Sequence, residues 1–412
     1  MTTMLARAAA AGVSAFGLDF TARQYLKSEQ LDSSCTLIDV AICKAKGFLE
    51  GPHFLLGLGD RIDEGMAAIE RMKRTAAREV KVEWRSSWEQ RESQLSGRYF
   101  WVRRGAFESP IAELLPEGAR NATVWEVRGT APVDCQRELA DANADVMLPI
   151  NTVWLGLTPV DRCIDTVVRL LNVSPSQVPV DNALGKQTAI VILPDFGGEF
   201  CKRTMPLAEL VSARLPAASV FLLEMPLRGT RKPPGYLGAL PSVHDMMLMG
   251  CAIIEESRSL IGWLKISGFD HVTLCGMSMG GQMAALTACC EPPIVPRLCL
   301  LMPSHSAEAN WTDGGVMGMN CGMSVPQLKP YLRQATSIEA YPPCKAESAL
   351  IVAARYDGYV PLWSSEKLRD SLATDGVPVK FRVISGGHVS GFLAHQHDFA
   401  DAVVGVTLGE SE

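Results

Sequence analysis

A serine between two glycines is the segment of the chain with the clearest chemical meaning. Gly276-x-Ser278-x-Gly280 has the spacing of a nucleophile elbow, in which a serine lies on a tight turn between a strand and a helix. Both flanking positions need glycine because a side chain there would collide with the neighbouring backbone. A hydroxyl held in this way can attack an acyl carbon, so the pattern predicts nucleophilic chemistry at Ser278.

A serine nucleophile needs a base that takes its proton and an acid that orients this base. After an elbow the acid and then the histidine are expected to follow in chain order. Asp357 and His388 satisfy this order. The sequence leaves other candidates open, namely His305, His395 and His397 for the base and Asp313 and Asp375 for the acid.

Negative charge that develops on a substrate oxygen needs N–H donors, each contributing about 3 kcal/mol to lowering the barrier. One predicted donor is the amide of Met279, the residue after the nucleophile. The second is expected in the glycine-containing loop after residues 189–193, where backbone can approach the substrate closely. Phe196 is the first choice for this donor and Gly197 is the alternative.

The elements that position these residues are six short apolar runs that alternate with helical segments. They predict strands over residues 189–193, 219–223, 271–275, 298–302, 350–354 and 379–384. Such alternation indicates a mostly parallel sheet with helices on both faces. Ser278, Asp357 and His388 each follow one of these strands, so we expect them to meet at the carboxyl edge of the sheet.

The rest of the chain predicts additions to this sheet. Residues 1–95 are expected to form a helical extension packed on the core, with its clearest helix over 60–80 capped by Asp60. Residues 96–410 form the main α/β domain, which begins with antiparallel strands over 99–102 and 122–127. Within it we expect an insertion at 130–186, with a short helix over 161–172, and a cap at 303–346. Methionines 317, 319 and 323 of the cap could line an acyl-chain pocket or belong to the core.

The composition narrows the classes of partner. The net charge of −6 over 412 residues argues against non-specific nucleic-acid binding, which needs an excess of Lys and Arg. No apolar run reaches the length of about 20 residues needed to span a bilayer. We expect a small-molecule or lipid ester substrate, compatible with peripheral contact with a membrane, and leave the oligomeric state open.

The twelve cysteines carry no Cys-x-x-Cys pair and no zinc-type histidine spacing, so no metal and no cofactor are predicted. Several lie in apolar runs and are expected to be buried thiols in a reducing compartment, with a disulfide framework as the alternative. The N-terminal residues 1–18 are alanine-rich, with one arginine and no acid. They are compatible with an organellar presequence or with a first helix of the fold, which we favour.

Positive charge is concentrated on two loops expected at the carboxyl edge of the sheet, despite the acidic total. The residues are Lys202 and Arg203 on one loop and Arg228, Arg231 and Lys232 on the other. We predict that these loops bind an anionic head group of the substrate, chiefly through Arg228, Arg231 and Lys232, since arginine offers forked donors to phosphate or carboxylate. Internal pairing with acids such as Glu199 or Glu224 is the alternative.

Four passages together resemble the α/β-hydrolase superfamily and, within it, the α/β-hydrolase domain-containing protein 18 family. They are the elbow at 276–281, Glu224-Met225-Pro226 with Gly229-Thr230-Arg231-Lys232-Pro233, the acid loop at 356–361, and Gly386-Gly387-His388-Val389-Ser390. The similarity covers residues 99–128 and 188–408. It departs from the family at 195–199, where relatives carry a His-rich continuation, and at 130–186, which is longer here.

The resemblance implies the α/β-hydrolase fold and a triad of Ser278, Asp357 and His388. It also implies an acyl-ester or lipid hydrolase associated with mitochondria, with the cytoplasm as the alternative location. Two other functions remain open at this point. One is a serine peptidase or amide hydrolase, and the other is a non-catalytic protein that uses the same pocket to bind a ligand or partner.

Overall fold

The computed structural model describes residues 34–93, 97–132, 187–197, 201, 203–236 and 238–410. Its centre is one ten-stranded sheet. The strands are β1 Glu83–Trp84, β2 Glu89–Glu92, β3 Tyr99–Glu108, β4 Asn121–Arg128, β5 Thr188–Leu193, β6 Ser219–Leu223, β7 His271–Met277, β8 Arg297–Leu301, β9 Ser348–Ala354 and β10 Val379–Ile384. The helices are α1 Ser34–Glu50, α2 Ile62–Met72, α3 Thr204–Arg214, α4 Val243–Ile266, α5 Met279–Cys289, α6 Ala307–Trp311, α7 Val325–Thr336, α8 Leu362–Thr374, α9 His388–Ala394 and α10 Gln396–Leu408.

Six strands form a parallel block in the order β6-β5-β7-β8-β9-β10. Strands β4 and β3 extend it in antiparallel fashion at the β6 end. All six strands predicted for the parallel sheet and both predicted antiparallel strands are confirmed. Every residue of β5 and β6 is buried, as expected for strands covered on both faces.

The side chains of each central strand alternate between two apolar layers. Ala189, Val191 and Leu193 of β5 pack with residues of α4 and α5, while Ile190 and Ile192 pack with residues of α3 and α10. The long helix α4 begins with a capping box between Ser242 and Asp245 that fixes its first turn. The central strands are therefore held rigidly from both sides, which fixes the positions of the loops at their ends.

The N-terminal part differs from the expectation in two places. Helix α2 ends at Met72, earlier than predicted. Ile69 and Met72 are buried, but Ala76 is exposed and has no core to pack against, so the last predicted turns are not stabilised. Its N-cap is Arg61 and carries no side-chain hydrogen bond, so the prediction that Asp60 caps the helix is wrong. Residues 83–84 and 89–92 form β1 and β2, which pair with β3 rather than continuing a helical segment.

The segment at 303–346 lies between β8 and β9. It contains α6, α7 and two 3₁₀ turns, Val316–Asn320 and Ile338–Ala340. Helix α1 packs against the first of these turns and against α9. Residues 133–186, which hold nearly all of the predicted insertion and its short helix, and residues 1–33 lie outside the described part of the chain.

Candidate active site

Ser278 lies on a strained turn between β7 and α5. Its φ and ψ of 56° and −122° place it at positive φ, where residues with side chains are uncommon. A Cβ atom added at Gly276 would lie 2.3 Å from the carbonyl group of Gly280, and one added at Gly280 would lie 2.5 Å from the carbonyl oxygen of Leu193. Both glycines are therefore required, and the backbone N–H of Ser278 is fixed by donating to Leu301 O at 2.8 Å.

Asp357 and His388 lie after β9 and β10 and are hydrogen-bonded to each other. His388 Nδ1 lies 2.6 Å from Asp357 Oδ2. The other carboxylate oxygen accepts the backbone N–H groups of Tyr359 and Val360 at 2.8 and 2.7 Å. The side chain of Asp357 is 1% exposed and that of His388 is 15% exposed. Because Asp357 accepts at Nδ1, the proton-accepting nitrogen of a neutral His388 is Nε2.

The surroundings of His388 shift its basicity upward. Burial alone would lower its pKa, but the charge and hydrogen bond of Asp357, joined by the charge of Asp39, raise the pKa above the ordinary value of 6.5. A raised pKa makes the imidazole a stronger base and stabilises the imidazolium that forms once a proton is taken up.

Ser278 and His388 line one cavity of about 450 Å³. Met279, Phe196 and Gly197 also line it, so the structure brings the predicted nucleophile, base and oxyanion loop together around one space. Asp357 is behind His388 and is not on the wall. Much of the remaining wall is apolar and is contributed by Met246, Met283, Met302, Trp311, Met317 and Phe392.

The two predicted oxyanion donors lie on well-supported elements. Met279 is the first residue of α5, where backbone N–H groups have no acceptor within the helix. The ring of Phe196 packs 5.3 Å from the ring of His53 and 6.1 Å from that of Trp311, centroid to centroid. These contacts fix the loop that carries the second donor, whether that donor is Phe196 or Gly197.

His53 adds an uncharged polar group to the cavity wall. Its burial, followed by the charges of Arg228 and Lys46, lowers its pKa to about 3, so the ring is neutral at physiological pH. Its Nδ1 accepts the backbone N–H of Leu240 at 2.9 Å. The proton of the neutral ring is therefore on Nε2.

The predicted substrate-binding cations divide into two groups. Arg228 and Lys232 line the cavity, and the Arg228 guanidinium lies 5.3 Å from the centroid of the Phe196 ring. Arg228 Nη1 also donates to the carbonyl oxygen of Gly238. These two residues are therefore placed where an anionic part of a substrate could reach them.

Arg231 is directed away from the cavity, and its predicted role in substrate binding is corrected. Its guanidinium forms a two-point ion pair with Glu256, with N to O distances of 2.6 and 2.8 Å. It also donates to the backbone carbonyls of Ala119 and Glu224 at 2.8 and 3.2 Å. Internal pairing therefore accounts for Arg231, with Glu256 rather than the Glu224 carboxylate as the acid. Glu199, the other acid considered, and Lys202 lie outside the described residues.

Two further cations on the cavity wall are Lys46 and Arg203. A point at the Cβ position of Gly197 lies 3.0 Å from Lys46 Nζ and 2.8 Å from Arg203 Nη1. Arg203 also donates to Asp195 at 2.5 Å. Burial, and after it the charge of Arg203, lowers the pKa of Lys46. In the sequence, Arg203 was noticeable as part of a basic loop. Lys46 was missed, because no pattern around it indicates that its side chain faces the loop that contains Gly197.

The other candidates for the base and the acid have partners elsewhere. His305 is buried against Ser364, and His395 and His397 contact Asp398 and Arg214. Asp313 pairs with Lys329, and Asp375 accepts the backbone N–H of Cys344. Only Asp357 and His388, of all these candidates, are joined to each other at the cavity.

Neither a metal-ligand cluster nor a membrane-spanning helix occurs in the described ranges. No group of three or more His, Cys, Asp or Glu side chains in them is arranged to hold a metal ion. None of the helices described is both long and apolar enough to cross a membrane. The ten cysteines in the described ranges are free thiols, and most of them are buried.

A mostly parallel sheet with a serine on the turn after β7, an aspartate after β9 and a histidine after β10 defines an α/β-hydrolase fold. The sequence model described as "Alpha/beta hydrolase domain containing 18" matches residues 166–325 and 324–406. This match covers more than half of the chain. The chain therefore belongs to the α/β-hydrolase domain-containing 18 family.

Several solved structures of esterases are similar to the chain. An esterase from the archaeon Pyrobaculum calidifontis is 12% identical, with 84% of this chain and 88% of that chain covered and a TM-score of 0.41. Acetyl xylan esterase 1 from Thermoanaerobacterium sp. JW/SL YS485 is 12% identical, with 86% and 98% covered and a TM-score of 0.42. A cold-adapted esterase from an Arctic intertidal metagenomic library is 16% identical, with 77% and 98% covered and a TM-score of 0.38.

Proposed function

We propose that this protein is a serine hydrolase that cleaves carboxylic esters through an acyl-enzyme on Ser278. The observation that carries the proposal is the hydrogen bond of 2.6 Å between Asp357 and His388, on a cavity that also holds the strained serine. A serine, an acid and a base in this chain order are the components that activate a hydroxyl for acyl transfer.

The proposed reaction has two halves. His388 Nε2 takes the proton of Ser278 Oγ as Oγ bonds to the substrate carbonyl carbon, and the carbonyl oxygen becomes an oxyanion facing the N–H groups of Met279 and the Phe196 loop. The ester C–O bond then breaks, and His388 gives the proton to the leaving alcohol. Water, deprotonated by His388, next attacks the acyl carbon. The bond to Oγ breaks, and His388 returns the proton to Oγ, which releases the carboxylic acid and regenerates the serine and the neutral histidine.

The surroundings of the cavity support an ester with a long apolar part. Phe48 and Leu49 at the end of α1, and Leu55 and Leu56 in the turn after it, are exposed, and Leu49 also lines the cavity. Exposed apolar side chains grouped beside a binding cavity are typical of surfaces that meet lipid or another apolar partner. We propose that the substrate is a lipid ester taken from a lipid surface.

This lipid preference can be tested with esters presented in two physical states. Phe48→Ser should lower hydrolysis of a long-chain ester in phosphatidylcholine vesicles several-fold while leaving a short soluble ester unchanged. Ile266→Ser is the matched control, since Ile266 is also exposed but lies at the end of α4, outside the group formed by Phe48, Leu49, Leu55 and Leu56. Equal losses on both substrates in the Phe48 variant would refute the role of this surface.

The charges on the wall support an anionic group in the same substrate. Lys46, Arg203, Arg228 and Lys232 line the cavity, against the carboxylates of Glu50 and Asp195. An excess of cations in a partly desolvated site favours a phosphate or carboxylate close to the scissile ester. We propose that the head group is recognised by Lys46 and its basic neighbours.

The first experiment is labelling of the full chain with a fluorophosphonate probe, which reacts only with an activated serine. Wild type should be labelled, and Ser278→Ala and His388→Ala should each abolish labelling while remaining folded. His395→Ala provides the control, since this histidine pairs with Asp398. Folded wild type that fails to react would refute the hydrolase proposal and favour a binding protein.

The same preparations distinguish an esterase from a peptidase or amide hydrolase. Matched ester and anilide substrates with the same acyl group should show turnover of the ester only. Anilide turnover at a rate similar to that of the ester would instead assign the protein to the amide hydrolases.

A further inference from the structure

We propose that Asp39 on α1 is a positioning residue of the active site, whose carboxylate holds the acid loop and the base loop in one fixed relation. The inference rests on the proposed function, because it assigns Asp39 a part in the reaction attributed to Ser278. Asp39 lies outside the segment that the sequence predicted to form the α/β domain.

The contacts of Asp39 join the two loops that carry the acid and the base. One carboxylate oxygen, Oδ2, accepts the backbone N–H of Gly358 at 2.9 Å and that of His388 at 2.7 Å. The other, Oδ1, accepts the backbone N–H of Val389 at 2.9 Å. Gly358 directly follows Asp357 in the chain, so a single buried side chain binds a neighbour of the acid and the base itself.

The carboxylate also acts as a capping group supplied by another element. Helix α9 begins at His388, and the first N–H groups of a helix have no acceptor within the helix. Its N-cap is Gly387, which has no side chain that could accept them. Asp39 accepts two of these N–H groups, so the start of the helix that carries the base is fixed by α1.

The two loops approach Asp39 so closely that each has a glycine at the point of contact. A Cβ atom added at Gly387 would lie 2.7 Å from Asp39 Oδ2, and one added at Gly358 would lie 3.0 Å from Asp39 Cβ. Contacts this short would force the loop or α1 to move. The glycines in the acid loop and the base loop therefore have a structural reason that the sequence pattern did not give.

The position of Asp39 also affects the charge of the site. Burial, with a contribution from the charge of Asp357, raises the pKa of Asp39 to about 7, while His388 and the N–H groups of Val389 and Gly358 oppose the rise. The charge of Asp39 in turn adds to the raised pKa of His388. Among the described residues, Tyr359 and Cys43 also interact electrostatically with Asp39, and Asp195 with His388.

A second contact of the same helix provides a matched control. Thr36 Oγ1 donates to the backbone carbonyl of Tyr356 at 2.9 Å. This bond joins α1 to the acid loop without touching His388. Thr36→Val therefore weakens the docking of α1, whereas Asp39→Asn also removes the charge beside the base and places an NH₂ group against N–H donors.

The test compares wild type, Asp39→Asn and Thr36→Val in the full chain. Three quantities are measured: the melting temperature, the pH profile of the labelling rate with a fluorophosphonate probe, and the pKa of His388 by NMR with ¹³C-labelled histidine. Asp39→Asn should label at least about tenfold more slowly than wild type, since small displacements of catalytic groups cost this much or more. The His388 pKa should fall in this variant and stay unchanged in Thr36→Val.

The proposal is overturned if Asp39→Asn keeps the wild-type labelling rate and the wild-type His388 pKa. It is also overturned if both variants lose labelling in proportion to their loss of melting temperature, since Asp39 would then only hold the fold. If wild type itself fails to react, the hydrolase proposal fails, while the His388 pKa still decides the role of Asp39. If Asp39→Asn does not fold, the amide NMR signals of Gly358, His388 and Val389 are followed against pH in wild type. The proposal requires all three to shift with the titration of one carboxyl group. Three independent titrations would refute it.

Discussion

Replacing Arg231 by methionine should destabilise the protein without altering how it selects substrates. Arg231 and Glu256 are buried, with 2% and 1% of their side chains exposed. The guanidinium contacts both carboxylate oxygens of Glu256 and two backbone carbonyls. Methionine fills a similar volume but leaves the Glu256 carboxylate buried without its cation.

The size of this effect follows from the burial of the pair. Removing one partner of a buried ion pair costs about 3–5 kcal/mol, because the remaining charge loses its compensation. Unfolding entropies of about 2.1 cal/mol/K per residue give roughly 0.9 kcal/mol/K for a chain of 412 residues. The melting temperature of Arg231→Met should therefore fall by about 3–6 °C.

The assay is thermal unfolding followed by hydrolysis of an anionic and a neutral ester that share one acyl group. Lys232→Met is the matched control, because Lys232 is adjacent, exposed and on the cavity wall. It should leave the melting temperature unchanged and raise KM only for the anionic ester. The double variant Arg231→Met with Glu256→Leu should regain most of the lost stability, because both buried charges are removed. A wild-type melting temperature in Arg231→Met, together with a selective loss of the anionic ester, would refute this reasoning.

Three further predictions concern the cavity itself. Gly276→Ala should reduce probe labelling at least about a hundredfold, since its methyl group would meet the Gly280 carbonyl group at 2.3 Å; Gly262→Ala, in the interior of α4, should keep the wild-type rate. The labelling rate should fall as the pH falls through the raised pKa of His388, because the protonated imidazole cannot accept a proton. A labelling rate that is still maximal well below pH 6.5 would contradict the role of His388 as the base. Lys46→Met should raise KM for an anionic ester about tenfold relative to a neutral one, as expected for the loss of a hydrogen bond to a charged group. Lys44→Met is the control. An equal change in KM for both esters would contradict the recognition of charge by Lys46.

The strands and the elbow could be predicted because their signals are local. A buried parallel strand is a short apolar run, and an elbow is a spacing of two glycines around a serine that the backbone itself requires. The placement of Asp357 and His388 followed from chain order and from the rule that parallel strands end at one edge of the sheet. None of these inferences needed knowledge of a long-range side-chain contact.

The residues that were wrongly assigned or missed depend on partners far away in the sequence. Arg228 and Arg231 lie in the same short basic loop, so the sequence does not distinguish them. Arg231 is structural because it pairs with Glu256 on α4, whereas Arg228 lines the cavity. Asp39 accepts hydrogen bonds from residues more than 300 positions later in the chain. Its one local signal is a carboxylate inside the apolar run Leu37-Ile38-Asp39-Val40, where a solvated acid is not expected.

The position of Asp39 bears on how the site is assembled. The α/β-hydrolase sheet places its acid and base on separate loops after β9 and β10, and the sheet alone fixes only where each loop begins. The loops must still be held within fractions of an ångström for a proton to pass between side chains. In the role that we propose for Asp39, this constraint comes from α1, which precedes every strand of the described sheet in the chain. A boundary drawn at residue 96 therefore separates the loops that carry Asp357 and His388 from the carboxylate of Asp39 that contacts both. On our proposal, the α/β segment without α1 would keep Ser278, Asp357 and His388 but lose their alignment.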